Sequence, residues 1–217
     1  TGINSEYGKN LIGAFYSPSS VLVDLNWLET LSDRDFAAGL AEVIKCGFIV
    51  DLQIIRLLAS RSLTDVRKDR NLTLELIERA VSVKARVVSG DFRESFDREI
   101  LNYGHTLGHA IELQSKFSLR HGECVAIGLV FAAYLAVQSG VLADEVAQLH
   151  KEILSNLGLP ITYSRELWPE LRSNMSIDKK SRSGTLRFVA ISEIGKTLRL
   201  EAPSESDLQA AYERLCS

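Results

Sequence analysis

No two of the three cysteines (Cys46, Cys124, Cys216) in this 217-residue sequence stand close enough to form a CxxC pair, and their number is odd. A thiolate zinc site and a disulfide framework are both disfavoured, and a reducing cytosol fits best. The opening Thr1-Gly2-Ile3-Asn4 has neither a basic n-region nor an apolar h-region, so no signal peptide is expected. It also lacks an initiator Met, which points to a chain that begins partway through a longer protein. No apolar run reaches the roughly 20 residues needed to span a bilayer. The longest, Val125 to Val137, has 13 and reads as a buried central helix. No excess of one charge exists either: 25 basic and 28 acidic side chains are interspersed, for a net charge of −3. Neither nucleic acid nor an anionic membrane is an expected partner. A pocket for a small phosphorylated ligand stays open, because it needs only a few cations. No complete nucleotide-binding βαβ array is visible in the pattern of elements, nor is any GxGxxG fingerprint.

What is present is 46% hydrophobic and 24% charged, the balance of an ordinary globular protein rather than a disordered one. The length allows one large domain or two small ones, with about 70% of the unfolded surface buried. The first twenty residues read as loop and turn, followed by a short β-like run, Val21-Leu22-Val23. Ser32 or Asp33 caps an expected helix through about Phe48, whose apolar stripe is Phe36, Leu40, Val43, Ile44 and Gly47. Further helices are expected over 51–59, 71–88, 101–113, 122–138 and 144–157, the last closed by Gly158 and Pro160. Residues 186–192 and 197–201 alternate around Ile194-Gly195-Lys196 as a β-hairpin. A final helix covers 206–215. The fold class is mainly α and multi-helical, with a small β-hairpin near the C-terminus.

The densest chemical signal is REILNYGHTLGHAIE, from Arg98 to Glu112. On one continuous helix Arg98, Asn102, His105, His109 and Glu112 share a face. A plain polar surface is the bland alternative, but two of only four histidines lie there. The i,i+4 pair His105 and His109 has the spacing to bind one metal, yet without the HExxH glutamate a metalloprotease is excluded. His121 opens the apolar helix, where the helix dipole disfavours imidazolium and keeps a neutral, metal-binding ring. A surface His is the alternative. Glu42 and Lys45 lie in the small, apolar segment GLAEVIKCG, where lone charges need partners or form a solvated i,i+3 pair. Lys84 falls on the stripe Ile77, Val81, Lys84, Val88, where a lysine either snorkels or reaches a phosphate or carboxylate. Gly8-Lys9-Asn10 is a turn signal, and Asp178-Lys179-Lys180 reads by default as solvated charge. Together these residues describe a helical pocket with a possible Glu/His/His metal site among cations, suited to an anionic, oxygen-rich substrate.

GKNLIGAF, GLAEVIKCG, ILNYGHTLGHAIE, RHGECVAIGL and DKKSRSGTLRFV, in this order and spacing, resemble the C-terminal domain of the 3-dehydroquinate synthases, most closely those of actinobacteria. The resemblance covers essentially the whole chain. It implies a segment over 1–30 leading in from an NAD-binding domain, then a metal- and substrate-binding domain over 31–217. It implies a cytoplasmic lyase of the shikimate pathway of aromatic amino acid biosynthesis, converting the phosphorylated keto acid DAHP to 3-dehydroquinate and phosphate with transient oxidation by NAD. It further implies Glu42, His105 and His121 as ligands of Zn2+, replaceable by Co2+. Substrate contacts would come from Asn10, Glu42, Lys45, Lys84, Arg98, Asn102, His105, His121 and, of the paired lysines 179 and 180, Lys180. Glu94 and His109 match acid–base positions, with Lys45 and Arg98 beside them in catalysis. Lys9 and the stretch Trp27, Leu28, Glu29 and Thr30 match NAD contacts. The N-terminal NAD-binding domain of the same protein and a second copy, as a homodimer, are the implied partners.

Three other readings compete. Related sugar phosphate cyclases share the metal triad, but Asn102 before Tyr103-Gly104-His105 and the Asp-Lys-Lys motif favour dehydroquinate synthase. Glycerol dehydrogenase-type enzymes usually use Asp where Glu42 stands. An isolated helical domain that binds metal without turnover is the non-enzymatic alternative.

Overall fold

A computed structural model of the chain describes residues 3–5, 8–14, 16, 19–90, 96–181 and 185–217, with the backbone alone for 4–5, 8–11, 90, 96–97 and 176–181. The chain divides into two units, Thr1–Thr30 and Leu31–Ser217. In the first, β1 (Ile3–Ser5) and β2 (Gly8–Ile12) pair antiparallel where the sequence reads as loop. The expected β-like run Val21-Leu22-Val23 is instead exposed and unpaired among the described strands. Its β-branched residues favour an extended chain, but a strand also needs a neighbour for its N–H and C=O groups. A 3-10 turn, Leu25–Thr30, ends this unit.

The second unit is helical with one hairpin. Helix α1 (Asp33–Ile49) starts where the Ser32 hydroxyl accepts the Asp35 N–H, satisfying one of the donors a helix N-terminus leaves open. It buries Phe36, Leu40, Ile44 and Gly47, the face that the 3.6-residue period marks. Then come α2 (Leu52–Leu58), the short α3 (Leu63–Lys68), which sequence periodicity misses, and α4 (Arg70–Gly90). On α4 the buried side is Leu72, Thr73, Leu76 and Val83, not the stripe through Lys84: Val81 is half exposed and Lys84 exposed. The two stripes differ by one residue, and Val83 rather than Lys84 faces inward.

The helix expected over 101–113 is broken. After α5 (Phe96–Glu99) and a 3-10 turn at Ile100–Asn102, Gly104 takes a left-handed conformation (φ 78°) and α6 runs His105–Gln114. A Cβ at Gly104 would meet the Leu129 backbone nitrogen at 2.8 Å, so both the turn and the packing require glycine. Helix α7 (His121–Gln138) is buried on nearly all sides and packs against α1, α6, α8 (Asp144–Asn156), α10 (Glu205–Leu215) and the hairpin strand β3 (Arg187–Glu193). Among the described residues it is the one helix long and apolar enough to cross a membrane, and here it forms the core. Strand β3 pairs antiparallel with β4 (Lys196–Glu201) across Gly195 (φ 86°), as the alternation predicts. Helix α9 (Trp168–Ser181), unmarked by strong periodicity, carries the Asp178-Lys179-Lys180 segment.

Candidate metal centre

Three helices deliver one group each to a common point. Glu42 lies in the middle of α1, while His105 and His121 are the first residues of α6 and α7. Glu42 Oε1 stands 3.2 Å from His121 Nε2 and 3.4 Å from His105 Nε2. Although the Glu42 side chain is 40% exposed as a whole, this oxygen is buried and has no hydrogen-bond partner. A buried carboxylate oxygen facing two imidazole nitrogens is otherwise costly. Its spacing matches a tetrahedral metal site, where ligand bonds of about 2.0–2.1 Å place donor atoms roughly 3.3–3.4 Å apart.

Each ligand is held from behind. His105 Nδ1–H donates to the Tyr103 carbonyl at 3.0 Å, which turns the Nε2 lone pair toward the site. His121 Nδ1 lies 3.1 Å from Oε1 of Glu112, a carboxylate only 2% exposed. Lys45 Nζ donates to Glu42 Oε2 at 2.5 Å and is itself buried. Burial alone would raise the Glu42 carboxyl, but the nearby imidazoles of His105 and His121 and the Lys45 ammonium hold it far below the usual carboxylate range. His121 moves the other way. The Glu112 carboxylate, then that of Glu42, lifts it to about 9, against the direction expected from the helix dipole. Two adjacent carboxylates outweigh the partial charge of a helix end.

The approach of α1 to α7 is fixed by charge as well as by packing. Arg34 donates to both oxygens of Glu123, through Nη2 at 2.7 Å and through Nε, and Arg120 pairs with Asp35. The Arg120 N–H also donates to Glu123 Oε2 at 2.8 Å, capping the turn that carries His121.

The structure brings together Glu42, Lys45, His105 and His121. His109 is exposed at the margin, its ring centroid 5.2 Å from that of His105. Arg98 is exposed and Asn102 half-buried, on segments before the Gly104 break, so the single five-residue polar face does not form. Glu112 stays on the α6 side of His105 and His109, but it is buried there as the partner of His121. A carboxylate between Ile111 and Leu113, one turn after His109, is the sequence signal that could have found it. Lys84 is exposed, one turn beyond Ala80, whose carbonyl faces the Cys46 thiol next to Lys45. Trp27, Glu29 and Thr30 are exposed and Leu28 half-buried in the separate N-terminal unit. Glu94 and the side chains of Lys9, Asn10 and Lys180 lie outside the described residues.

Residues 39–181 match the family profile described as 3-dehydroquinate synthase C-terminal, and residues 1–38 match 3-dehydroquinate synthase N-terminal. The chain belongs to the 3-dehydroquinate synthase family. It is 51% identical to a 3-dehydroquinate synthase of Pseudarthrobacter chlorophenolicus, covering 100% of the chain and 60% of that protein. With the 3-dehydroquinate synthase of Corynebacterium diphtheriae it shares 47% identity over 99% of the chain and 60% of the relative. The chain thus spans about 60% of the length of these relatives. Among solved structures, a 2-epi-5-epi-valiolone synthase from Streptomyces hygroscopicus with NAD+ and Zn2+ bound superposes with a TM-score of 0.87 at 24% identity, over 99% of this chain and 60% of that one. A 2-deoxy-scyllo-inosose synthase complexed with carbaglucose-6-phosphate, NAD+ and Co2+ gives 0.79 at 23%, over 98% and 61%. At these identities the likeness establishes the family's helical fold.

Proposed function

We propose that this chain is the metal- and substrate-binding part of a 3-dehydroquinate synthase, which converts DAHP to 3-dehydroquinate and phosphate. The observation that carries the reading is the convergence of Glu42 Oε1, His105 Nε2 and His121 Nε2, in a chain of this family, with spacing suited to Zn2+ or Co2+. Three protein ligands leave room for substrate oxygens, and a bound divalent ion supplies Lewis acidity to them. NAD supplies a transient hydride acceptor.

The chain's own groups do the rest. Lys45, fixed on Glu42, presents its ammonium beside the metal ligands and offsets anionic charge as substrate arrives. Lys84, Arg98 and Asn102, with Asn10 and Lys180, bind the phosphate, carboxylate and hydroxyls. His109, exposed at the margin, and Glu94 move protons between substrate and water. Residues 1–30, with Lys9 and Trp27 to Thr30, connect to an NAD-binding domain of the same protein. The working protein is a cytoplasmic homodimer.

Phosphate release from DAHP with NAD, before and after chelation, tests the reading in the intact protein. Activity should disappear with the chelator, return with Zn2+ or Co2+, and be abolished in His105→Ala. Unchanged release after complete metal removal would overturn it. Residues 1–217 alone should bind Zn2+ but release no phosphate, because positioning of the nicotinamide, worth roughly 7–11 kcal/mol, requires its domain.

A further inference from the structure

The imidazole of His121 stands between two carboxylates. Its Nε2 lies 3.2 Å from Glu42 Oε1 and its Nδ1 3.1 Å from Glu112 Oε1. Each carboxylate also has a second imidazole nearby: His105 on the Glu42 side, and on the other side His109, whose ring centroid is 6.1 Å from that of His121. The donor atoms of His109, Glu112 and His121 all lie within 4.8 Å of one another, as do those of Glu42, His105 and His121. Buried Glu112 forms the floor of this second set and exposed His109 its mouth.

We propose that His109, Glu112 and His121 form a second, outer position for a divalent ion, and that it competes with the inner position because both use the one imidazole of His121. The inference takes the inner position from the reading above. Two nitrogens and one carboxylate oxygen suit Zn2+ or Co2+ better than Mg2+ or Ca2+. Competition follows from the ring itself. A neutral imidazole has one lone pair, so the tautomer that offers Nδ1 outward carries its proton on Nε2 and no longer serves the inner ion. An ion held outside therefore leaves Glu42 and His105 as the remaining inner ligands.

The experiment is calorimetric titration of Co2+ alone into metal-free protein. The wild type should take up one equivalent. His105→Ala, which removes an inner ligand and leaves the outer set whole, should still bind one Co2+ with lower affinity. Adding His109→Ala to that background should weaken binding further by at least about tenfold, the low end of the loss for removing a group that supports a metal site. Glu42→Gln, with and without His109→Ala, repeats the comparison should His105→Ala fold poorly, and circular dichroism checks folding of every variant. The proposal is overturned if His109→Ala leaves affinity unchanged in both backgrounds, or if the wild type binds and neither folded inner-site variant does. No Co2+ bound even by folded wild type would overturn the inner site as well.

Discussion

The carbonyl of Ala38 and Gly122 meet so closely that a Cβ on Gly122 would lie 1.9 Å from the carbonyl oxygen. This contact joins α1 to α7 one turn before Glu42 and one residue after His121, so it sets the distance between two proposed metal ligands. Gly122→Ala must therefore push the helices apart, at a cost of about 1–3 kcal/mol or more. Both the denaturation midpoint and the Co2+ affinity should fall. Gly39→Ala is the control: it lies inside α1 with no atom within 4 Å of its added Cβ, and should stabilise by roughly 0.5–1 kcal/mol. Equal effects of the two substitutions would refute the close-approach argument.

Glu112→Gln keeps the shape of the side chain but removes the charge that orients His121. Metal affinity should drop by about 10–100-fold while the helical content is unchanged. Competition against a chelating dye measures it, and an affinity equal to wild type would show that Glu112 does not support the ligand.

Lys84 is exposed, so Lys84→Ala should leave thermal stability within about 0.5 kcal/mol of wild type. Metal content should also be unchanged. If this lysine binds the anionic substrate, kcat/KM for DAHP in the intact enzyme falls; an unchanged value would make Lys84 an ordinary surface residue.

His150 gives the chain a specific acid sensitivity. It is fully buried, donating from Nδ1 to the Val146 carbonyl at 2.7 Å and accepting the Tyr103 hydroxyl at Nε2, 3.0 Å away. Burial pushes it down to about 3 from an ordinary 6.5. Between those values the unfolded chain binds a proton that the folded chain refuses. Stability is therefore full above the upper value and declines as pH falls through the window, by up to about 1.4 kcal/mol per unit. Urea denaturation of His150→Gln, which cannot take that proton, should show a flatter pH dependence there than wild type. Parallel curves would exclude His150 as a source of acid lability.

Much of the fold is legible in local sequence because it depends on local physics. Ser32 before an apolar stripe gives the start of α1, Ile194-Gly195-Lys196 gives the hairpin turn, and the apolar run from Val125 gives a helix that must be surrounded. What resists reading is short or depends on a neighbour: α3, the β1–β2 hairpin, and the exposed Val21-Leu22-Val23. Around the site, the resemblance picks out Glu42, His105 and His121, whereas spacing alone equally allows His105 with His109.

Local sequence is enough to place Glu42 and Lys45 on one helix turn, His121 at the head of the apolar helix, and that helix in the core, whereas the break that makes His105 the first residue of α6 is not legible in it. Which faces meet depends on packing between distant segments. Helical periodicity fixes the angle of a side chain about its own axis but not the rotation of one helix against another. That rotation is set by contacts between distant residues, Gly122 on Ala38, Gly104 against Leu129, and Arg34 on Glu123. Through them Glu112 is buried against His121, and one unpartnered oxygen of Glu42 comes to face two imidazoles.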